Sequence, residues 1–467
     1  MNLFAADLAQ RLSTLQDQGL LRKLRQVDSP QGTQILVEGK RLLNFSSNDY
    51  LGLATHPLLK AAAIQAIEKF GAGAGASRLV CGSLKLHHEL EEELATFKRT
   101  QAALAFSSGY TAAMGVICAL MGKEDVLILD KLVHASIIDA ARLSGAQLQI
   151  FRHNDMEDLE KILRSSTGSA HRRSLPLALL PDVASDNPQQ KPVRYSTRSS
   201  KKAAAVLRSG FGSLSEKPRT LIVTESIFSM DGDRAPLREI VAVKEKYGAW
   251  LMVDEAHATG LYGPNHTGLV DEVGVSDHVE IQMGTLGKAL GSAGGYVSGS
   301  RALIDFLINR ARPFVFSTAP VPAAAASATA GIRLVQSAEG DSRRRLLRAR
   351  LAELCSHLDR EENAHPSHII PVLVGDENQA VDASEALRRN GIFIPGIRYP
   401  TVARNQARLR ITLSASHSRA DVNKLVRALT KLNLGIHRKR SMNARPFSRH
   451  KSRHNGTGGG CVEKTTQ

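Results

Sequence analysis

Residues 220–260 read "TLIVTESIFSMDGDRAPLREIVAVKEKYGAWLMVDEAHATG", and this stretch decides the fold. It begins and ends on short, continuously apolar runs, "TLIVTES" and "WLMVDEA", with the helically spaced "LREIVAVKEKYG" between them. Strands apolar on both faces belong inside a parallel sheet covered by helices, because a sheet with one wet face would alternate apolar and polar residues.

The same alternation extends outward in both directions. Upstream, "HPLLKAAAIQAIEKF" reads as a helix begun near Pro57, and "HHELEEELATFK" as another. "AALAFSSGYTAAMGVICALM" follows as strand, turn and helix, "DVLILD" as a strand, and "ASIIDAARLSG" as a helix closed by Gly145. Alternating β and α elements predict a doubly wound α/β domain over residues 46–300. Residues 1–45 hold an amphipathic helix and the hairpin "TQILVEGKRLLN". In residues 301–435 a helix from Arg301 leads into "ARPFVFSTAPVPAAAASATAGIRLV", a long helical run rich in Arg and Leu follows, and then strand, helix, strand, strand, helix, which suits a smaller α+β C-terminal domain.

Two segments break this order. Residues 166–217, including "PDVASDNPQQKPVRYSTRSSKKAAA", are poor in apolar residues and read as an exposed, mobile insertion; residues 436–467 read as a disordered basic tail. The net charge of +16 is concentrated in them. Residues 164–219 hold 11 Lys and Arg against 3 Asp and Glu, the tail 8 against 1, and the rest of the chain is nearly neutral at 42 against 41. A nucleic-acid or acidic partner would therefore have to bind these two appendages, where only Tyr195, Phe211 and Phe447 could stack on a base. Solvated extensions are the expectation, with no nucleic-acid role.

Cys81, Cys118, Cys355 and Cys461 stand far apart, with no CxxC pair and no zinc-like His spacing, so reduced thiols and no metal site are expected. The N-terminal "MNLFAADLAQRL" carries Asp7 among its apolar residues and fits no signal peptide, and nowhere do 18 apolar residues run together. A cytoplasmic protein without membrane contact is expected.

The chemistry gathers at strand ends. Asp254 closes the apolar strand "WLMVD" where ligands of open α/β sheets collect, and His257 follows three residues on. Alone, such an aspartate is often a loop cap. Lys288 changes the balance, since it follows another strand and lies in "GTLGKALGSAGG", where Gly284, Thr285, Gly287 and Gly291 let a flat ligand approach the backbone. A partly buried amine loses basicity and becomes free to form a Schiff base, and a strand-end carboxylate could hold a protonated pyridine nitrogen. That pairing suits pyridoxal phosphate. "SSGYTAAM" opens a helix after a strand, so the N–H groups of Gly109 and Tyr110 could receive the phosphate. His134, just past another strand, could stack on the ring or simply cap a helix. The glycine run "GAGAGASRLVCG" follows a helix rather than a strand, so it reads as a loop near a ligand or a neighbouring subunit and not as a dinucleotide site.

Residues 1–163 and 220–435 resemble the fold-type I, pyridoxal-phosphate-dependent α-oxoamine synthases. The shared motifs include "NFSSNDYLGL", "GAGASRLVCGS", "FRHNDMEDLE", "TESIFSMDGDRAPL", "VDEAHATGLYG" and "PGIRYPTVARNQARLRITLSASH". The resemblance implies a mostly parallel seven-stranded sheet flanked by helices, a smaller α+β C-terminal domain, and a homodimer. It implies that Lys288 carries the cofactor and acts as acid and base, that Asp254 pairs with the ring nitrogen, and that His257 bonds the ring hydroxyl. His134 would stack on the ring and assist acyl transfer, and Gly109, Tyr110, Ser229 and Thr285 would contact the cofactor, mostly at its phosphate. Arg410 would hold the amino-acid carboxylate, and Arg22 and Thr401 would lie near the acyl substrate. The implied reaction condenses L-alanine with a pimeloyl thioester, on coenzyme A or a carrier protein, as in biotin biosynthesis. The runner-up is the family's 2-amino-3-ketobutyrate ligase, and from another class, a polyanion binder on an enzyme-like scaffold. The insertion and the tail depart from the family pattern.

Overall fold

The computed structural model describes residues 2–167, 218–358 and 367–434. The insertion expected over 166–217, apart from its first two residues, and the tail expected over 436–467 lie outside the described residues.

The N-terminal part has helix α1 (Leu3–Asp17) and the antiparallel hairpin β1 (Gln34–Val37) and β2 (Lys40–Asn44). Helices α2 (Pro57–Phe70) and α3 (Lys85–Lys98) follow. The alternating region then runs β3 (Ala102–Phe106), α4 (Gly109–Leu120), β4 (Val126–Asp130), α5 (Ala135–Ser144), β5 (Gln147–Phe151), α6 (Met156–Thr167), β6 (Thr220–Glu225), α7 (Leu237–Tyr247), β7 (Trp250–Asp254), β8 (Ile281–Thr285) and β9 (Gly295–Gly299). Its seven strands form one sheet in the order β3-β9-β8-β7-β6-β4-β5, and only β9 runs against the others. The expected mostly parallel, seven-stranded sheet is therefore present.

The continuous apolar strands have a direct cause. Along β6 and β7, Leu221, Val223 and Met252 enter the core on one face, with α4 and α5, while Ile222, Leu251 and Val253 enter the core on the other, with α6 and α7. Both faces are dry, so alternation has no reason to appear. Gly145 ends α5 at φ 72°, the left-handed conformation that favours glycine at a helix C-terminus.

Helices α8 (Arg301–Arg310), α9 (Pro322–Val335) and α10 (Ala338–Cys355) lead to β10 (Ile369–Gly375), α11 (Glu377–Arg389), β11 (Ile392–Phe393), β12 (Gly396–Ile397), β13 (Ala407–Thr412) and α12 (Arg419–Lys431). β13 lies between β10 and β12 in an antiparallel sheet. β11 pairs in parallel with β2, matching Ile392 to Leu43 and Phe393 to Asn44, so the N-terminal hairpin and the C-terminal segment share one small sheet. Phe45, Tyr50, Ile392 and Ile411 share one core cluster, which ties the loop after β2 to the same region. Helix α1 forms as its periodicity predicts, but none of its residues is buried, and Phe4, Leu8, Leu12 and Leu15 are exposed.

Candidate active site

The site is built from the carboxyl ends of neighbouring strands. The β6–β7 register sets Glu225 opposite Asp254, and Asp254 pairs in turn with Met283 of β8, two residues before Thr285. Both carboxyls are buried. Asp254 Oδ1 accepts from the Ala256 N–H at 2.9 Å, which fixes the turn leading to His257. Lys288 lies past the end of β8 in a loop closed by bonds from Leu286 N–H to the Gly294 carbonyl and from Gly291 N–H to the Lys288 carbonyl. Gly291 holds φ 68°, and a Cβ there would sit 2.6 Å from that of Leu53, so the tight loop excludes larger residues.

Nζ of Lys288 lies 2.7 Å from Nε2 of His257. Nδ1 of the same ring lies 2.7 Å from the Tyr50 hydroxyl, which is 3.0 Å from Oδ1 of Asn48. Arg410, on β13, donates to that same Oδ1 at 3.1 Å, to the Tyr50 hydroxyl at 3.4 Å, and through Nε to the Ser229 carbonyl. Ser229 is fixed from its other side by its N–H, which donates to Glu225 Oε2 at 3.1 Å. Lys288, His257, Arg410 and Ser229 thus join in one hydrogen-bonded set with Tyr50, Asn48 and Glu225.

Burial pulls the Lys288 amine down to about 8, against the opposing pull of Asp254 and Glu225. His257 is held well below the usual imidazole range by burial and by the neighbouring Lys288 and Arg410 cations. Burial raises Asp254, while Lys288, the Ala256 N–H and His134 oppose the rise. Glu225 is pushed well above the carboxylate range by burial and by the charge of Asp254. Two adjacent carboxyls cannot both ionise cheaply, and Glu225 is the one pushed further toward its neutral form.

His134 caps α5, its Nδ1 accepting from the Ser136 N–H at 3.2 Å. The capping role weighed from sequence is therefore real, but the residue is also exposed, which leaves ring surface open. Packing around it and the Lys288 charge lower its pKa, with Asp254 opposing. Gly109 begins α4, and its N–H and that of Tyr110 have no earlier helical carbonyl to donate to. A Cβ on Gly109 would stand 3.9 Å from the Thr285 side chain, so the α4 N-terminus and Thr285 face a common space. The Tyr110 side chain turns outward to Asp139, its hydroxyl donating at 2.7 Å, which leaves only its backbone for a ligand. Arg22 and Thr401 come together in a separate cluster, Arg22 donating to the Thr401 hydroxyl at 3.4 Å and to the Tyr399 carbonyl at 3.2 Å.

Sequence reading missed Tyr50, Asn48, Glu225 and His368, whose ring packs edge-on against Tyr50 at 4.0 Å. The motif "NFSSNDYLGL" held two of them, but only the fold brings it to residues more than 200 positions away.

The set suits pyridoxal phosphate. It offers a half-buried amine with a lowered pKa, a buried carboxylate opposite a neutral one, and a helix N-terminus beside a threonine. A Cβ on Gly295 would lie 2.5 Å from the Ser108–Gly109 backbone, so only glycine lets that helix end settle against β9.

The family model for aminotransferase class I and II matches residues 40–429. An 8-amino-7-oxononanoate synthase of Geobacter sulfurreducens is 42% identical over 435 residues, covering 92% of this chain and 99% of its own. One of Thermoanaerobacter pseudethanolicus is 40% identical over 427 residues, covering 91% and 96%. Among solved structures, a serine palmitoyltransferase of S. paucimobilis with bound PLP–myriocin aldimine superposes with a TM-score of 0.76 at 28% identity, over 93% of this chain and 100% of that one. A Sphingomonas wittichii serine palmitoyltransferase gives 0.74 at 29% identity, over 92% and 97%.

Proposed function

We propose that this chain, which belongs to the aminotransferase class I and II family, condenses L-alanine with a pimeloyl thioester, releasing carbon dioxide and the free thiol carrier and leaving 8-amino-7-oxononanoate. It is a pyridoxal-phosphate-dependent acyltransferase of biotin biosynthesis. Lys288 carries the reading: an amine with a pKa of about 8, joined to His257 and flanked by two buried carboxyls at the ends of β6 and β7.

When bound, pyridoxal phosphate supplies an aldehyde that captures an amine and a ring that withdraws electrons from the amino acid's α-carbon. Lys288 would hold that aldehyde and, once the incoming amino acid had displaced it, its freed amine would accept the α-proton and return one after carbon dioxide leaves. A pKa near 8 leaves part of the amine free near neutral pH, as a base requires. Asp254 would keep the ring nitrogen protonated, His257 would hold the ring hydroxyl, and His134 would offer its open face to the ring. Gly109 and Tyr110 give backbone N–H groups to the phosphate, with the Ser229 and Thr285 hydroxyls beside them. Arg410, already aimed by Ser229, Asn48 and Tyr50, receives the amino-acid carboxylate. Such a charge-assisted contact is worth about 1.5–3 kcal/mol. Arg22 and Thr401 border the acyl chain.

A homodimer is part of this proposal. Its support is a run of exposed apolar side chains, Leu79, Val80, Phe316 and Val321, on two loops tied by the Ser77–Thr318 bridge. No helix of the described residues is long and apolar enough to cross a membrane, and a cytoplasmic reaction is proposed.

The test is a paired assay on the purified holoenzyme, pimeloyl-CoA with L-alanine against acetyl-CoA with glycine, following thiol release. Faster release with the first pair is expected. Release only with the second pair would move the assignment to the ligase branch.

A further inference from the structure

The motifs "FRHND" and "MDGD" have no part in the chemistry above, yet they meet beside the site. Nδ1 of His153 lies 2.9 Å from Asp130 Oδ1, and Nε2 lies 2.7 Å from Asp233 Oδ2. A neutral imidazole has a single N–H, so two carboxylate acceptors on its two nitrogens require the doubly protonated cation. Burial opposes that charge, but the two carboxylates outweigh it and push the His153 pKa up to about 10.

Each carboxylate anchors a different segment of the site. Asp130 ends β4 and also accepts from the Leu132 and Asn154 N–H groups at 2.8 and 2.9 Å, fixing the start of the turn that carries His134. Asp233 closes the turn that carries Ser229: its carbonyl accepts from the Phe228 N–H at 3.0 Å, and the Gly232 N–H returns to the Phe228 carbonyl at 2.8 Å. Asn154 donates to Asp233 Oδ2 at 3.0 Å and to the Arg234 carbonyl at 3.2 Å, and the His153 ring stands edge-on to Phe228 at 4.4 Å. From this turn the Ser229 carbonyl sets Arg410.

We propose that His153 is a positioning residue, a cationic clasp between Asp130 and Asp233 that holds the His134 turn and the Ser229–Arg410 turn in register. This inference rests on the functional reading above. Without the cation, two carboxylates face each other with no positive charge between them, the turns part, and the carboxylate-binding Arg410 shifts relative to the ring-stacking His134. Displacements of about 1 Å at such a distance from the chemistry cost up to roughly a hundredfold.

The experiment titrates the holoenzyme with L-alanine, following visible absorbance and circular dichroism of the bound cofactor, with a thermal melt alongside. In His153→Gln the alanine Kd should rise about tenfold or more and the cofactor's dichroism should weaken. In His153→Gln/Asp233→Asn, where one facing charge is gone, part of that loss should return. A wild-type alanine Kd and dichroism in His153→Gln would overturn the proposal, whatever the melt shows, and so would a loss that the double variant does not relieve. If His153→Gln fails to fold, Asp233→Asn decides, with a raised alanine Kd at a near-normal melting temperature expected and an unchanged Kd overturning it. A wild-type protein that binds the cofactor but gives no response to L-alanine would instead sink the functional reading itself.

Discussion

Lys288 and His257 are joined at 2.7 Å through Nζ and Nε2, and this contact sets the direction of a longer chain of hydrogen bonds. His257 is neutral, so it has one donor and one acceptor. If Nε2 accepts from the amine, Nδ1 donates to the Tyr50 oxygen, and the Tyr50 hydroxyl donates to Asn48 Oδ1. Arg410 then gives its N–H groups to the remaining lone pairs of Tyr50 and Asn48. The amine and the guanidinium are then held by one continuous network.

The first prediction concerns the amine. With its pKa drawn down to about 8, the fraction of free amine rises as pH rises through that value, not through the usual lysine range near 10.4. Mixing cofactor-free protein with pyridoxal phosphate should give a capture rate that climbs between about pH 7 and 9 and then levels off. Lys288→Ala should abolish both the absorbance change and turnover. A rate still climbing tenfold per unit at pH 10 would contradict the burial argument.

Tyr50→Phe removes the hydroxyl that His257, Asn48 and Arg410 share. A buried imidazole N–H left without an acceptor costs about 1–3 kcal/mol, so the melting temperature should fall. Arg410 also loses one of its guides, and the KM for L-alanine should rise by roughly three- to tenfold, on the order of 1 kcal/mol. The KM for the acyl thioester should stay unchanged, and steady-state kinetics with each substrate varied separates the two.

Glu225 offers a sharper contrast. Because burial and the charge of Asp254 push Glu225 well above the carboxylate range, toward its neutral form, glutamine copies the charge of that form and nearly its shape. Glu225→Gln should keep kcat/KM within a few-fold of wild type and still accept the Ser229 N–H. Glu225→Ala leaves that N–H buried and unpaired, at about 1–3 kcal/mol, and should lower kcat/KM for L-alanine by about tenfold or more. If the glutamine variant were as impaired as the alanine variant, the carboxylate would have to be charged.

The parallel sheet was legible because β6 and β7 are dry on both faces, which leaves an unbroken apolar signature. Strand-end position then pointed to Asp254 and to the lysine past β8. Tyr50 and Asn48 carried no such signature, since they sit in an irregular loop and reach His257 only through the fold. Glu225 was hidden for another reason: its meaning depends on the β6–β7 register that sets it opposite Asp254, and register is not written in one strand. Helix α1 shows the reverse case, where a helical pattern was correctly read but none of its residues is buried in the described chain.

The last prediction lies behind the site. Lys98 of α3 and Glu255, the residue after Asp254, form an ion pair at 2.6 Å with both side chains fully buried. Lys98 also donates to the Thr267 carbonyl at 2.8 Å, and Glu255 Oε1 accepts from the Val270 N–H at 2.9 Å. The Glu255 carbonyl accepts from the Ala258 and Thr259 N–H groups, so the pair fixes the turn that carries His257. Lys98→Met strands a buried carboxylate and should destabilise the fold by about 3–5 kcal/mol. Lys98→Met/Glu255→Gln removes both charges while keeping an acceptor for the Val270 N–H, and should recover more than half of that loss. Urea unfolding of the three proteins measures the difference. A double variant no more stable than Lys98→Met would mean that the pair's worth lies in its hydrogen bonds to Thr267 and Val270 rather than in the cancellation of buried charge.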